Sequence, residues 1–489
     1  MTELRIAILQ APAPDYGRAE GAWAELLARI DDAAQDEPDL VILPEASYPA
    51  WFLGAAAAHP PLLADAHILS DLADRARRHS VHIAAGLVLG RPGTPQNAAV
   101  LLSPAGVELA RASEARPAPW FTAGRGPAAA SIGGATVALF AGADHLDPRW
   151  VEAIAEARTQ LCIATGAARG WTSAGGTLGD PSGHVVPTRA AEIGAWFAAA
   201  GRAGVEADSV GYAGGAGIAS PREGWVARAP EDRPGIVLHA CELTPSQPGV
   251  APLAAPSISN LHAEGGTTRV AALALDPSPS VVELMESVRA SVRAAATLGA
   301  QLVVLPDLTG PDPRAVTRSE ALPLIEEVSG ETHTLVVAGA AERAEGVLYR
   351  SVSVVEDGQL LTTYRQSTLS EADRSAGFVP GEGASPLVQT ERAGILGLLA
   401  GREGLQPAAS ASLRRGGAQV IAWCAGASER AVAPVAQTRA WEQRLPVVAA
   451  AGASGGACVA MEGGSLLAST RAGTPMLTHA TVERRARTS

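Results

Sequence analysis

Residues Asp39 to Pro49 read DLVILPEASYP. Leu40, Val41, Ile42 and Leu43 run without a polar interruption into Pro44, and an acid, Glu45, follows. An uninterrupted apolar run bounded by turn residues predicts a strand covered on both faces, and Pro44 ends it because proline cannot donate to a ladder. Glu45 is therefore expected just past a buried strand, where α/β folds commonly place their chemistry. The phrase returns 262 positions later as Gln301 to Thr309, QLVVLPDLT, with Asp307 at the place of Glu45. The chain reads as a duplication.

Outward from these two phrases the order of elements repeats. The first half predicts a strand at RIAILQ and a helix carrying Trp23, Leu26, Leu27 and Ile30 on one face. A helix around Leu69 to Arg78, a strand from His82 to Gly90 and a hairpin from Asn97 to Ala112, turning at Ser103 to Gly106, come after Glu45. Then follow FTAG (Phe121 to Gly124), a strand from Thr136 to Asp144, helices near Trp150 to Arg158 and Arg189 to Phe197, and the strand GIVLHACEL (Gly235 to Leu243). The second half repeats this with RVAALAL, a helix bearing Val281, Leu284, Met285, Val288 and Val292, QLVVLPD, a hairpin ending TTYR, FVPG, GILGLLAGRE, AQVIAWCAGA and TRAWEQR. Strand and helix patterns alternate, so both halves are expected to be α/β: residues 1–243 and 268–489, joined by a linker at 244–267 rich in Pro, Ala, Ser and Gly. Two copies of a domain are expected to pack as a pseudo-dimer.

Composition sets bounds on function. With 489 residues, 47% hydrophobic and 18% charged, the chain can bury two cores. A net charge of -12 without a basic stripe argues against nucleic acid as a partner, and the lack of an export signal or a spanning apolar run predicts a cytoplasmic protein without a membrane anchor. Cys162, Cys241, Cys424 and Cys458 form no CxxC pair and read as buried thiols. The ten histidines include no H-E-x-x-H or H-x-H pattern, and no G-x-G-x-x-G or Walker sequence follows a strand, so neither metal nor cofactor is expected. The sequence contains no lysine: all 38 basic residues are arginine.

Each half resembles the nitrilase, or carbon-nitrogen hydrolase, superfamily. The resemblance rests on five boxes in the same order in both halves: the opening strand, the LPE or LPD phrase, the hairpin end with its F-x-x-G segment, the FAGAD or LLAGRE segment, and the R-A helix with a glutamate, at Arg189 and Glu192 and again at Arg439 and Glu442. It implies a four-layer α-β-β-α sandwich for each half and a Glu-Lys-Cys triad, in which the acid takes the thiol proton, the thiolate attacks and the lysine stabilises the developing charge. Carried over position by position, the first half keeps the acid as Glu45, has Glu114 for the lysine and Gly142 for the cysteine, or Ala141 with a one-residue slip. The second half has Asp307, Gln366 and Gly401, the last with Ala400 as its alternative.

The acid is kept or shortened, while cation and nucleophile are gone. Loss of the nucleophile alone removes nearly all triad catalysis. The leading expectation is thus a catalytically inactive tandem protein, structural or regulatory, that self-associates or pairs with an enzyme. The alternatives are a small-molecule binding module, its first pocket acidic and suited to amines, and an enzyme with repurposed carboxylate chemistry. Glu45 and Glu114 would repel unless one is protonated or an arginine intervenes; the bland reading pairs one with an arginine and leaves the other solvated. Cys424, at the end of a strand that approaches the site in the family, is a candidate surrogate thiol, against the plainer reading of an inert buried cysteine. The two Arg-Glu pairs, one helical turn apart, suit structural ion pairs.

Overall fold

The computed structural model describes residues 2–58, 63–166, 169–173, 176–177, 181–244, 264–275, 280–309, 316–426, 429–430 and 432–486. The chain divides into two compact units, Met1–Pro248 and Gly249–Ser489. Most of the expected linker lies outside the described residues, and a strand, Gly266–Ala274, already occupies its last two positions.

In the first unit the strand Leu40–Leu43 runs parallel to Thr2–Pro12 on one side and to His82–Arg91 on the other. All four of its residues are buried. Because successive side chains leave a strand on opposite faces, Leu40 and Ile42 enter the core between two sheets, while Val41 and Leu43 enter the core under the helices Ala19–Ala33 and Asp65–His79. A one-residue slip would exchange the two sets, and both would still be apolar; what fixes the position is Pro44. A second sheet of six strands, with Leu161–Ala164 and Trp196–Ala199 near its middle, closes the first core. Its outer face carries the helix Ser182–Ile193. The layers are therefore helix, sheet, sheet, helix.

The second unit repeats the plan with two six-stranded sheets. Leu302 and Val304 point between the sheets, and Val303 and Leu305 point under the helices Val281–Thr297 and Arg318–Thr332. Pro407–Gly416 and Val432–Gln443 pack on the second sheet.

Two predicted elements need correction. The helix expected near Arg189 to Phe197 spans Ser182–Ile193, and Phe197 belongs to the strand after it. Pro187 reads as a helix breaker, since it has no N–H for the carbonyl four residues back. Here that carbonyl, of Gly183, accepts instead from the indole N–H of Trp225 at 2.7 Å, and the helix continues until Gly194, at φ 76°, ends it. The strand expected to reach Asp144 stops at Phe140, because Gly142 takes φ 52° and opens a short 3-10 turn, Gly142–Leu146.

Candidate functional site

In each unit the chain leaves this strand, Leu40–Leu43 or Leu302–Asp307, and crosses closely over its neighbour. A Cβ on Gly86 would lie 2.5 Å from Glu45 Cα, and one on Gly339 would lie 2.8 Å from Asp307 Cα. Only glycine admits this approach, and it sets both acids at the sheet's end. Glu45 is 1% exposed and Asp307 7%.

The hairpin delivers the second residue. Glu114 N–H donates to the Asn97 carbonyl at 2.9 Å, and Gln366 N–H donates to the Arg350 carbonyl at 2.7 Å. A buried carboxylate then pins each hairpin end: Asp144 accepts from Ala115 N–H at 3.0 Å, and Glu403 from Ser367 N–H at 3.0 Å. Glu403 also accepts from the hydroxyls of Tyr364, Ser367 and Ser385. These two acids stand two positions after Gly142 and Gly401, so they tie the hairpin to the turn that carries the glycine. The R-A helices brace the same turns, with Arg189 Nη2 donating to the Leu146 carbonyl at 2.7 Å and Arg439 Nε to that of Gly404 at 2.9 Å.

Glu45, Glu114 and Gly142 meet in the first unit. Asn97 stands between the two acids: its Nδ2 donates to Glu45 Oε1 at 2.5 Å and to Glu114 Oε2 at 2.6 Å. Glu114 Oε1 accepts from Ala143 N–H at 2.9 Å. The expectation of one acid solvated is thereby corrected, for Glu114 is only 3% exposed and an amide joins the pair. Arg202 approaches the same segment, yet donates to the Glu45 backbone carbonyl, from Nε at 2.9 Å and Nη2 at 2.6 Å. Gly142 lies against Glu114: a Cβ there would overlap the Glu114 carboxyl group and sit 2.6 Å from Asn97 Nδ2.

Asp307, Gln366 and Gly401 meet in the second unit. Arg350, at the hairpin position matching Asn97, donates from Nη1 to Asp307 Oδ2 at 2.5 Å and from Nε to Asp373 Oδ1 at 2.6 Å. The reading that this site has lost its cation is corrected in one respect: a guanidinium has reached the acid from the opposite strand of the hairpin. Gln366 Nε2 donates to the Thr368 carbonyl, and a Cβ on Gly401 would lie 2.7 Å from Gln366 Oε1. Cys424 is buried; burial pushes its thiol up, and the negative charge of Asp307 pushes it further. Nucleophilic cysteines need the opposite environment. Among the described residues no group of three or more His, Cys, Asp or Glu could hold a metal ion, and no helix is long and apolar enough to cross a membrane.

Comparison with known families decides the relationship. The family described as carbon-nitrogen hydrolase matches residues 5–247 and, a second time, 269–486. The chain belongs to the carbon-nitrogen hydrolase family. No curated protein matches it. Among solved structures, similar ones include an amidase from Nesterenkonia sp., 22% identical over 49% of this chain and 90% of that one, with a TM-score of 0.43. Mutants of the amidase from Nesterenkonia sp. AN1 are also similar. One, in complex with acrylamide, is 21% identical over 49% of this chain and 91% of that one, with a TM-score of 0.44. Another, in complex with butyramide, is 21% identical over 49% and 90%, also with a TM-score of 0.44.

The family fold in the first unit carries a pH signature. Burial pushes the Asp144 carboxyl up to about 6, against the Ala115 N–H that favours its charged form. Unfolded, the group titrates near the ordinary aspartate value of about 3.9. Between these two values the folded state holds a proton that the unfolded state has released, so this group's contribution to stability falls as pH rises through the window and is flat above it. Unit 1 should therefore gain thermal stability from pH 6.5 to 4.5 through this group. Asp144→Asn should flatten that part of the profile in calorimetry; an unchanged slope would assign it elsewhere.

Proposed function

We propose that this member of the carbon-nitrogen hydrolase family does not hydrolyse carbon-nitrogen bonds, and that it acts as a structural or regulatory subunit, in self-assembly or beside an enzyme. Glu45, Glu114 and Gly142, and Asp307, Gln366 and Gly401, are on this reading two dismantled triads. One observation carries it: in both units the residue at the nucleophile's position is a glycine packed against the side chain at the lysine's position. A Cβ at either glycine would collide with that side chain, Glu114 in one unit and Gln366 in the other. The remaining acid at Glu45 is engaged by Asn97, and Asp307 by Arg350, so neither is held ready to take a proton from a nucleophile.

The purified chain should show no turnover of nitriles, amides or N-carbamoyl compounds above a protein-free blank. An enzyme-like rate that disappears on Glu45→Gln would sink the proposal.

A further inference from the structure

Beside Arg202, which holds the Glu45 carbonyl, the first unit has a cavity of about 330 Å³, open to solvent, whose lining includes Pro12, Asp15, Arg18, Glu25, Arg29 and Arg202. Arg18, Ala22, Glu25 and Arg29 recur at helical spacing along one face of the helix Ala19–Ala33, which forms one wall. From Arg18 to Arg29 that wall is about 16 Å long. Arg202 is fixed in the lining: it is 2% exposed, and besides its two bonds to the Glu45 carbonyl it donates from Nη1 to the Pro12 carbonyl at 3.1 Å.

The charges of the lining divide into committed and uncommitted groups. Arg202 is committed to carbonyls, and Asp15 accepts from Ala207 N–H at 2.8 Å. Arg18 and Glu25 are exposed and Arg29 is half-buried, and among the described residues their side chains enter no hydrogen bond or ion pair within the chain. Two uncommitted guanidinium groups and one uncommitted carboxylate are complemented by a ligand with two carboxylates and one ammonium. A plain dianion would meet Glu25 as a like charge, and a diamine would meet two arginines. The volume lies at the lower end of small-molecule sites.

We propose that this cavity binds a small amino-dicarboxylic acid, its carboxylates on Arg18 and Arg29 and its ammonium on Glu25. The site does not depend on whether the chain is catalytically inactive. Titration calorimetry of the full chain at low salt should detect L-glutamate or L-aspartate. Glutarate, lacking the ammonium, γ-aminobutyrate, lacking one carboxylate, and putrescine should each bind at least about tenfold more weakly. Arg29→Ala and Arg18→Ala should each weaken L-glutamate by about tenfold, with an unchanged melting temperature in the absence of ligand. Glu25→Gln should erase the preference for L-glutamate over glutarate. No heat with either amino acid, equal binding of glutarate, or undiminished affinity in both arginine variants would overturn the assignment.

Discussion

Arg439→Ala should lower the stability of the second unit by roughly 3–5 kcal/mol. Arg439 is fully buried, its partner Glu442 is 4% exposed, and the two are joined by an ion pair one helical turn apart. Removing the arginine takes the neighbouring cation from a carboxylate held away from water and frees the Gly404 carbonyl that Arg439 Nε holds. A surface pair at the same spacing would contribute a few tenths of a kcal/mol, so the burial decides the size of the effect. The first unit offers the same test at Arg189, 2% exposed beside the fully buried Glu192. Calorimetry on the full chain should show a lowered transition in each variant. Arg439→Met with Glu442→Leu should recover much of the loss, because an apolar pair of similar bulk removes the buried charge. A loss below 1 kcal/mol in Arg439→Ala would contradict this account.

Gly142→Cys is the second substitution with a large expected effect, about 2–5 kcal/mol of destabilisation and no activity. Two costs add. A side chain at φ 52° costs about 1–2 kcal/mol, and forcing atoms into filled space costs about 1–3 kcal/mol. The second cost arises from the overlap with the Glu114 carboxyl group. It should shrink on a Glu114→Ala background while the backbone cost remains, so a double-mutant cycle should give a coupling of about 1 kcal/mol or more. Additive losses would place the strain elsewhere. A cysteine introduced alone also lacks a neighbour to activate it, since Asn97 occupies Glu45.

How much of this was legible in the sequence depends on whether the cause is local. The strands carrying Glu45 and Asp307 are marked by four apolar residues and a proline, and the turn at Ser103 to Gly106 closes as read, with Gly106 N–H on the Ser103 carbonyl at 2.8 Å. The glycines that let the chain cross, Gly86 and Gly339, sit at matching places in HIAAGLVLG and TLVVAGAA, so the repeat could have exposed them. Asn97 and Arg350 were not found, although they hold the acids. Their role depends on which residue faces them across the hairpin and on which way that face turns, neither of which is written in composition. One signal was available: Asn97 is one of two asparagines in the chain. The helix start at Ser182 was hidden for the same reason, because the group that rescues Pro187, Trp225, lies 38 residues further along. Arg202 and the charges of its cavity come together from segments nearly two hundred residues apart, beyond any spacing rule.

The left-handed turn at Gly142 bears on which substitutions the chain can accept. The Glu114 carboxyl fills the space a side chain at 142 would need, and φ 52° suits only the smallest residue, so any larger residue there, cysteine included, is penalised in folding before it can act. The two positions therefore admit change in one order: a smaller residue at position 114 first, a larger one at position 142 last.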